Sequence, residues 1–188
     1  SIPVFKKAIS YEPHKPGIFC NLGNALEKLN KFDEAIENLN KAININSNLV
    51  EAYMGLGDVY LKLRKYHIAI KNLDIGIKLN PNNLIGFLNR GFAFEKLGKF
   101  ENAISDANKV IEINKNFFKA YTNKGNALKA MKRFKEAILN YEIAIKLNPK
   151  FAPAYYNKAI TLEELNQWDE AINFYNKSIS LNYNVEIS

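Results

Sequence analysis

Cysteine and histidine are scarce in this sequence, and their scarcity excludes two kinds of site. Cys20 is the only cysteine, and His14 and His67 are the only histidines among 188 residues. One thiol cannot close an intramolecular disulfide, and a zinc site needs several cysteine or histidine ligands. We therefore expect no disulfide framework and no bound metal. A reducing, intracellular (cytoplasmic) location fits the same composition.

Long apolar runs are also missing. No stretch approaches the roughly 18 consecutive apolar residues that a transmembrane helix requires. The sequence also lacks the pattern of a secretory signal peptide. We therefore expect no membrane insertion.

A period of 34 residues organises what the sequence does contain. Position 4 of each unit is aromatic, position 20 is alanine, and position 8 is glycine or, in Ala159, alanine. Apolar residues within positions 4–14 and 17–30 recur with helical spacing, so each unit is predicted to form two antiparallel helices. Turn-forming pairs such as Asn30-Lys31 and Gly98-Lys99 separate them. Five units align without insertions, beginning at Pro16, Val50, Leu84, Phe118 and Ala152.

A helix–turn–helix unit with this signature resembles the tetratricopeptide repeat (TPR) family. The resemblance covers residues 16–185 and implies an all-α, right-handed superhelical solenoid of antiparallel helix pairs. We predict a second-helix remnant of a preceding repeat at 1–15, and a tail at 186–188. The complete repeats are predicted at 16–49, 50–83, 84–117, 118–151 and 152–185.

Position 7 departs from the family pattern, in which leucine is usual. Arg90, Lys124 and Lys158 stand there in three units. We expect each long side chain to lie along the apolar seam and to hold its charge in water.

No motif indicates catalysis. The glycines at position 8 recur inside helices and therefore do not form a phosphate loop. Adjacent carboxylates such as Asp33 and Glu34 point in different directions on a helix. We predict that the chain is not an enzyme and needs no cofactor.

Positions 2, 5, 6, 9, 12 and 13 of the first helix lie opposite the repeat signature, at about 100° per residue. We call this surface the inner arc, because stacked helix pairs use it as their concave binding surface. Position 6 is asparagine in four units, and Gly55 is the exception. An amide both donates and accepts hydrogen bonds, so a column of amides can hold a peptide backbone. The column resembles the asparagine ladder in the TPR superhelix of O-linked N-acetylglucosamine transferases.

Candidate peptide-binding residues are taken from the inner arc. Three of them, Leu88, Phe92 and Tyr156, are apolar or aromatic where the core does not require it, and exposed apolar patches mark interaction sites. The alternative explanation of the column is that asparagine is common throughout this chain. The full set is Asn21, Asn24, Asp58, Leu88, Asn89, Phe92, Lys119, Asn123, Asn126, Tyr156 and Asn157.

The net charge of +7 raises nucleic acid as a possible partner. The inner arc, however, carries similar numbers of lysines and carboxylates, and phosphate binding needs a concentrated basic track. We therefore predict no nucleic-acid binding.

The sequence predicts a non-catalytic protein–protein interaction scaffold that binds a peptide segment of a partner in its concave groove. Two alternatives remain open. The chain could be the substrate-recruiting arm of a larger enzyme such as a glycosyltransferase. It could also be a self-assembling structural scaffold, because solenoids normally need capped ends and this array shows none.

Overall fold

The computed structural model describes residues 2–181, which form α-helices joined by short turns. No residue in this range lies in a β-strand, so the predicted all-α class is confirmed. The end of the fifth predicted repeat, 182–185, and the tail, 186–188, lie outside the described residues. The helices are α1 Ile2–Tyr11, α2 Pro16–Lys28, α3 Phe32–Ile45, α4 Val50–Lys62, α5 Tyr66–Leu79, α6 Leu84–Lys96, α7 Phe100–Ile113, α8 Phe118–Ala130, α9 Phe134–Leu147, α10 Ala152–Glu163 and α11 Trp168–Ser180.

The chain forms two compact units, which divide between Ala93 and Phe94. In unit 1, α2 pairs with α3 and α4 with α5, and α1 packs on α2. In unit 2, α8 pairs with α9 and α10 with α11, and α9 packs on α10. The limits of the individual repeats stay a prediction. The first helices of the pairs begin at Pro16, Val50, Leu84, Phe118 and Ala152.

The turn inside each pair contains one residue in the left-handed region, at position 15. These residues are Asn30, Arg64, Gly98, Lys132 and Asn166, with φ of 59°, 56°, 70°, 60° and 59°. In the α8–α9 turn, the backbone N–H of Lys132 donates to the Lys129 carbonyl and that of Arg133 to the Leu128 carbonyl. This Schellman arrangement satisfies the last carbonyls of the first helix and reverses the chain.

Glycine at position 8 lets the two helices of a pair approach closely. A Cβ on Gly23 would lie 2.7 Å from Cγ of Leu39, and a Cβ on Gly125 would lie 2.6 Å from Cε1 of Tyr141. Leu39 and Tyr141 are both 0% exposed, and they belong to the apolar cores of unit 1 and unit 2 respectively. Position 8 therefore sets the distance between the helices of a pair.

The fifth pair carries alanine at this position. Opposite Ala159 stands Tyr175, at the position that Tyr141 occupies in the fourth pair. Tyr175 is half-buried, and its hydroxyl donates to Glu163 Oε2 at 2.6 Å. The hydroxyl of Tyr141 instead reaches inward to Asn126 Oδ1 at 3.0 Å. A tyrosine inserts fully between the helices in the pair that has glycine and not in the pair that has alanine.

Two cations at position 7 bind acids of the preceding helix pair. Arg90 Nη1 lies 2.7 Å from Asp74 Oδ1, and Lys158 Nζ lies 2.7 Å from Glu142 Oε1. Lys158 is 7% exposed, and its Nζ is 4.1 Å from the centre of the Phe174 ring. The stem is buried as expected, but the expectation of a charge held in water is wrong for Lys158, because a carboxylate and an aromatic ring hold it.

We predict that Gly125→Ala destabilises the protein by about 1–3 kcal/mol, because the added methyl group displaces Tyr141 from a filled core. The loss of the Tyr141–Asn126 hydrogen bond adds to the effect. Thermal or urea unfolding measures the change. Gly17→Ala is the matched control, since a Cβ there meets nothing within 4 Å. Equal stability of the two variants would contradict the close-approach argument.

Candidate peptide-binding site

The inner arc of unit 1 borders a pocket of about 430 Å³. Its walls come from α2, α4 and the turn that leads into α6. Two predicted site residues, Asn24 and Asp58, line it. The other inner-arc residues of the lining were not predicted as contacts, although their positions in the repeat could have identified them. The lining consists of Asn24, Glu27, Lys28, Val50, Glu51, Met54, Gly55, Asp58, Asn80, Asn83 and Ile85.

The asparagine column is hydrogen-bonded within each unit. In unit 1, Asn89 Nδ2 donates to Asp58 Oδ1. In unit 2, Asn157 Nδ2 donates to Asn126 Oδ1 at 3.0 Å. Both bonds join position 6 of one helix pair to position 9 of the pair before it. The column therefore links neighbouring first helices, a role that the sequence analysis missed although the 31-residue spacing recurs.

The break in the column at Gly55 has a steric reason. A Cβ on Gly55 would lie 2.5 Å from Asn24 Oδ1 and 2.9 Å from Cδ2 of Leu39. Asn24 stands at position 9 of the first pair. Its amide therefore lies against the glycine backbone, in the space that an asparagine side chain at position 55 would need.

Among the predicted contact residues, the side chain of Asn126 makes the most hydrogen bonds. Its Oδ1 accepts from Asn157 Nδ2 and from the hydroxyl of Tyr141, both at 3.0 Å. Its side chain also hydrogen-bonds the carboxylate of Glu95, which opposes the increase in the pKa of Glu95 that burial causes. Asn126 therefore organises the inner arc of unit 2, with little hydrogen-bonding capacity left for a ligand.

At Leu88 the expectation of an exposed apolar side chain is wrong. Leu88 is 7% exposed, whereas Phe92 is 39% exposed. Cys20 and Thr122, which share position 5 with Leu88, are also buried. Position 5 lies at the edge of the inner arc, about 60° from position 8, and in these three helices it is covered. In these three helices position 5 is therefore a poor source of contacts, whereas Met54, at position 5 of α4, lines the pocket of unit 1.

The remaining predicted contacts have different degrees of exposure. Asn21 in unit 1 and Lys119 in unit 2 are exposed, and Asn123 and Tyr156 are half-buried. The ring of Tyr156 packs edge-on against Tyr175, with the ring centres 5.7 Å apart. Within unit 2, the half-buried Asn123 and Tyr156 belong to α8 and α10.

Charges on the inner arc of unit 1 are partly paired. Lys62 Nζ lies 2.6 Å from Glu27 Oε1. Burial and the nearby charge of Glu27 raise the pKa of Asp58 to about 6, while the Asn89 hydrogen bond and Lys62 oppose the increase. The surroundings of Asp58 thus disfavour its ionised form.

Unit 2 arranges its charges differently. Burial raises the pKa of Glu95, and Lys96 and Lys129 oppose that increase. Burial also lowers the pKa of Lys129, against the attraction of Glu95 and Glu164. On this part of the inner arc, the positive charges of the lysines therefore offset the negative charges of the glutamates.

Other kinds of site find little support in the part of the chain that the structure describes. Within residues 2–181, no group of three His, Cys, Asp or Glu side chains could hold a metal ion. None of the described helices is long and apolar enough to cross a membrane. Burial raises the pKa of the Cys20 thiol to about 11, which disfavours the reactive thiolate.

Comparison with protein families gives four matches that together extend over most of the chain. A TPR repeat family matches residues 28–63. Tetratricopeptide repeat families match residues 54–116, 118–151 and 140–173. The chain is built from tetratricopeptide repeats. A comparison with curated proteins finds no match.

Solved TPR structures resemble this chain. MamA is 25% identical over 86% of this chain and 94% of its own, with a TM-score of 0.75. YrrB, described as a TPR protein with an unusual peptide-binding site, is 24% identical over 96% and 93%, also with a TM-score of 0.75. MamA from Desulfovibrio magneticus RS-1 is 18% identical over 89% and 95%, with a TM-score of 0.79. The TPR family matches support a role as a protein-interaction scaffold, and these neighbours share the fold.

We predict that Asp58→Asn raises the melting temperature more at about pH 7.5 than at about pH 4. The folded-state pKa of Asp58 is about 6 against an ordinary value of 3.8, so ionisation costs stability as the pH rises through this range. Asparagine keeps an acceptor for Asn89 and carries no charge. Thermal unfolding of both proteins across this range measures the difference, and a difference that is constant with pH would contradict the raised pKa.

Proposed function

We propose that this TPR chain is a non-catalytic scaffold that binds a peptide segment of a partner protein along its inner arc. The observation that carries the proposal is the pocket in unit 1, whose lining comes mostly from inner-arc positions of α2 and α4. A pocket of this size can enclose side chains of a peptide, which a flat docking surface cannot do. Three carboxylates in the lining, Glu27, Glu51 and Asp58, disfavour a phosphate-bearing partner such as nucleic acid.

The amide column supports a backbone-binding role in modified form. Asn89 and Asn157 each use a donor to reach the preceding helix pair, and an amide has two donors and an acceptor oxygen. The hydrogen bonds to neighbouring helices hold the amides in fixed orientations. Such preorganisation lowers the entropy lost on binding. The proposed likeness to the asparagine ladder of O-linked N-acetylglucosamine transferases rests on this remaining capacity.

The experiment is selection from a displayed library of random linear peptides on the wild-type protein. We expect enriched peptides to perturb NMR amide signals of pocket residues such as Glu27, Gly55 and Asp58. The double variant Asn24→Ala/Met54→Ala should weaken binding at least about tenfold, a loss typical of removing key contacts. The control is Asn38→Ala/Lys41→Ala on α3. Failure to enrich any peptide, or signal changes confined to α3, would overturn the proposal.

A second candidate function, self-association, is favoured by α11. Trp168, Ile172 and Ile179 are 54%, 55% and 68% exposed. The equivalent residues of α3 are half-buried and pack against the core of unit 1. We propose that this face of α11 packs against a second copy of the chain. The third option, a recruiting arm of an enzyme, is favoured by no feature within residues 2–181.

Sedimentation velocity over a roughly hundredfold range of protein concentration tests self-association. We expect the wild type to shift toward a dimer and Ile172→Glu to remain monomeric, because a charge cannot be buried unpaired in an apolar contact. Leu139→Glu is the control, since Leu139 is a similarly exposed residue, at 56%, on α9. A strictly monomeric wild type would exclude this role.

A further inference from the structure

The unit 1 pocket contains more negative than positive charge. Its lining holds three carboxylates, Glu27, Glu51 and Asp58, and one cation, Lys28. Lys62, beside the pocket, is occupied by Glu27 at 2.6 Å. Among the described residues, no cation lies within 4.0 Å of the carboxylate of Asp58 or Glu51. Asp58 and Glu51 therefore form no ion pair within the pocket, although the positive charge of Lys62 acts on Asp58 from farther away.

Asp58 is the carboxylate that is best placed to meet a ligand. It is half-buried on α4, and its Oδ1 accepts the hydrogen bond from Asn89. Within residues 2–181, its other oxygen accepts no hydrogen bond. A partly desolvated carboxylate that forms no ion pair is unfavourable, and a cationic group of a partner that reaches it gains a strong Coulombic attraction, less the cost of its own desolvation.

The charge of Asp58 is not needed for the fold. Asn126, at position 9 of the fourth helix pair, accepts a hydrogen bond from Asn157, the position 6 asparagine of the fifth pair, at 3.0 Å. Asp58 accepts the same bond from Asn89. A neutral amide thus performs the structural role in unit 2, so the extra charge in unit 1 calls for a different explanation.

The pocket also offers an apolar wall. Val50, Met54 and Ile85 line it beside the carboxylates. Lysine and arginine side chains carry an apolar stem and a charged end. An apolar wall next to a carboxylate matches both parts of such a side chain, whereas a metal ion would gain nothing from the wall.

We propose that the unit 1 pocket receives a lysine or arginine side chain of the bound peptide, with its stem against Met54 and its charge on Asp58. Glu51, at the exposed side of the pocket, adds attraction for the same cation. This inference rests on the proposed function, because the cation is carried by the peptide. It names the specificity of that site: peptides with a basic residue bind, and isosteric neutral peptides bind weakly.

The experiment compares pools of acetylated and amidated random peptides that differ only in one fixed central residue. The fixed residue is lysine, arginine, norleucine, citrulline or glutamate, and binding to the whole chain is measured by fluorescence anisotropy. We expect the lysine and arginine pools to bind about tenfold more tightly than the norleucine and citrulline pools, as a charge-assisted contact requires. The glutamate pool should bind most weakly.

Two variants assign the preference to Asp58. Asp58→Asn should reduce the ratio of lysine-pool to norleucine-pool affinity to near one, while circular dichroism confirms that the helices are intact. Glu37→Gln, on an exposed residue of α3 that pairs with Lys41 at 2.6 Å, should leave the ratio unchanged. This control separates a local effect from a change in net charge.

The outcomes separate this inference from the proposed function. If all pools bind the wild type equally, or if Asp58→Asn keeps the preference, the cation pocket is overturned and peptide binding stands. If no pool binds the wild type, peptide binding itself is overturned, and the cation pocket with it. A preference that Asp58→Asn abolishes supports both.

Discussion

The close contact at position 8 is the constraint on which the rest of the structure depends. Because Gly23 and Gly125 bring their helices against Leu39 and Tyr141, the side of each first helix that carries the glycine is committed to its partner. Positions 2, 6, 9 and 13 are about 100–160° away from position 8 and cannot share that contact. The inner arc is thus a consequence of packing, and its chemistry is free to differ between units without loss of the core.

The inner arc nevertheless has structural work of its own. Hydrogen bonds from Asn89 to Asp58 and from Asn157 to Asn126 tie α6 to α4 and α10 to α8. A side chain that is already held in place loses less entropy when a ligand binds. The same amides therefore contribute to the stacking of helix pairs and present an ordered polar surface. The structural role accounts for Asn89 and Asn157, two of the four asparagines at position 6.

Local features were predictable from the sequence, and contacts between helix pairs were not. Apolar spacing predicted the helices, and Asn30-Lys31 and Gly98-Lys99 predicted turns. The burial of Leu88 and the ion pair of Lys158 with Glu142 were missed. Both depend on how one pair stacks on the next, which sets the side-chain directions. Periodicity within one repeat carries no information about that step.

The comparison of Asp58 with Asn126 shows how a repeat protein can acquire specificity. Both residues accept the same hydrogen bond from position 6 of the next pair, so the fold tolerates either. The carboxylate adds a charge that its surroundings disfavour, as its raised pKa shows. A residue that lowers stability, and that another residue could replace in the fold, is expected at positions where function determines the residue type. Because all repeats share the same architecture, differences of this kind between equivalent positions are where we propose that a binding preference of the array resides.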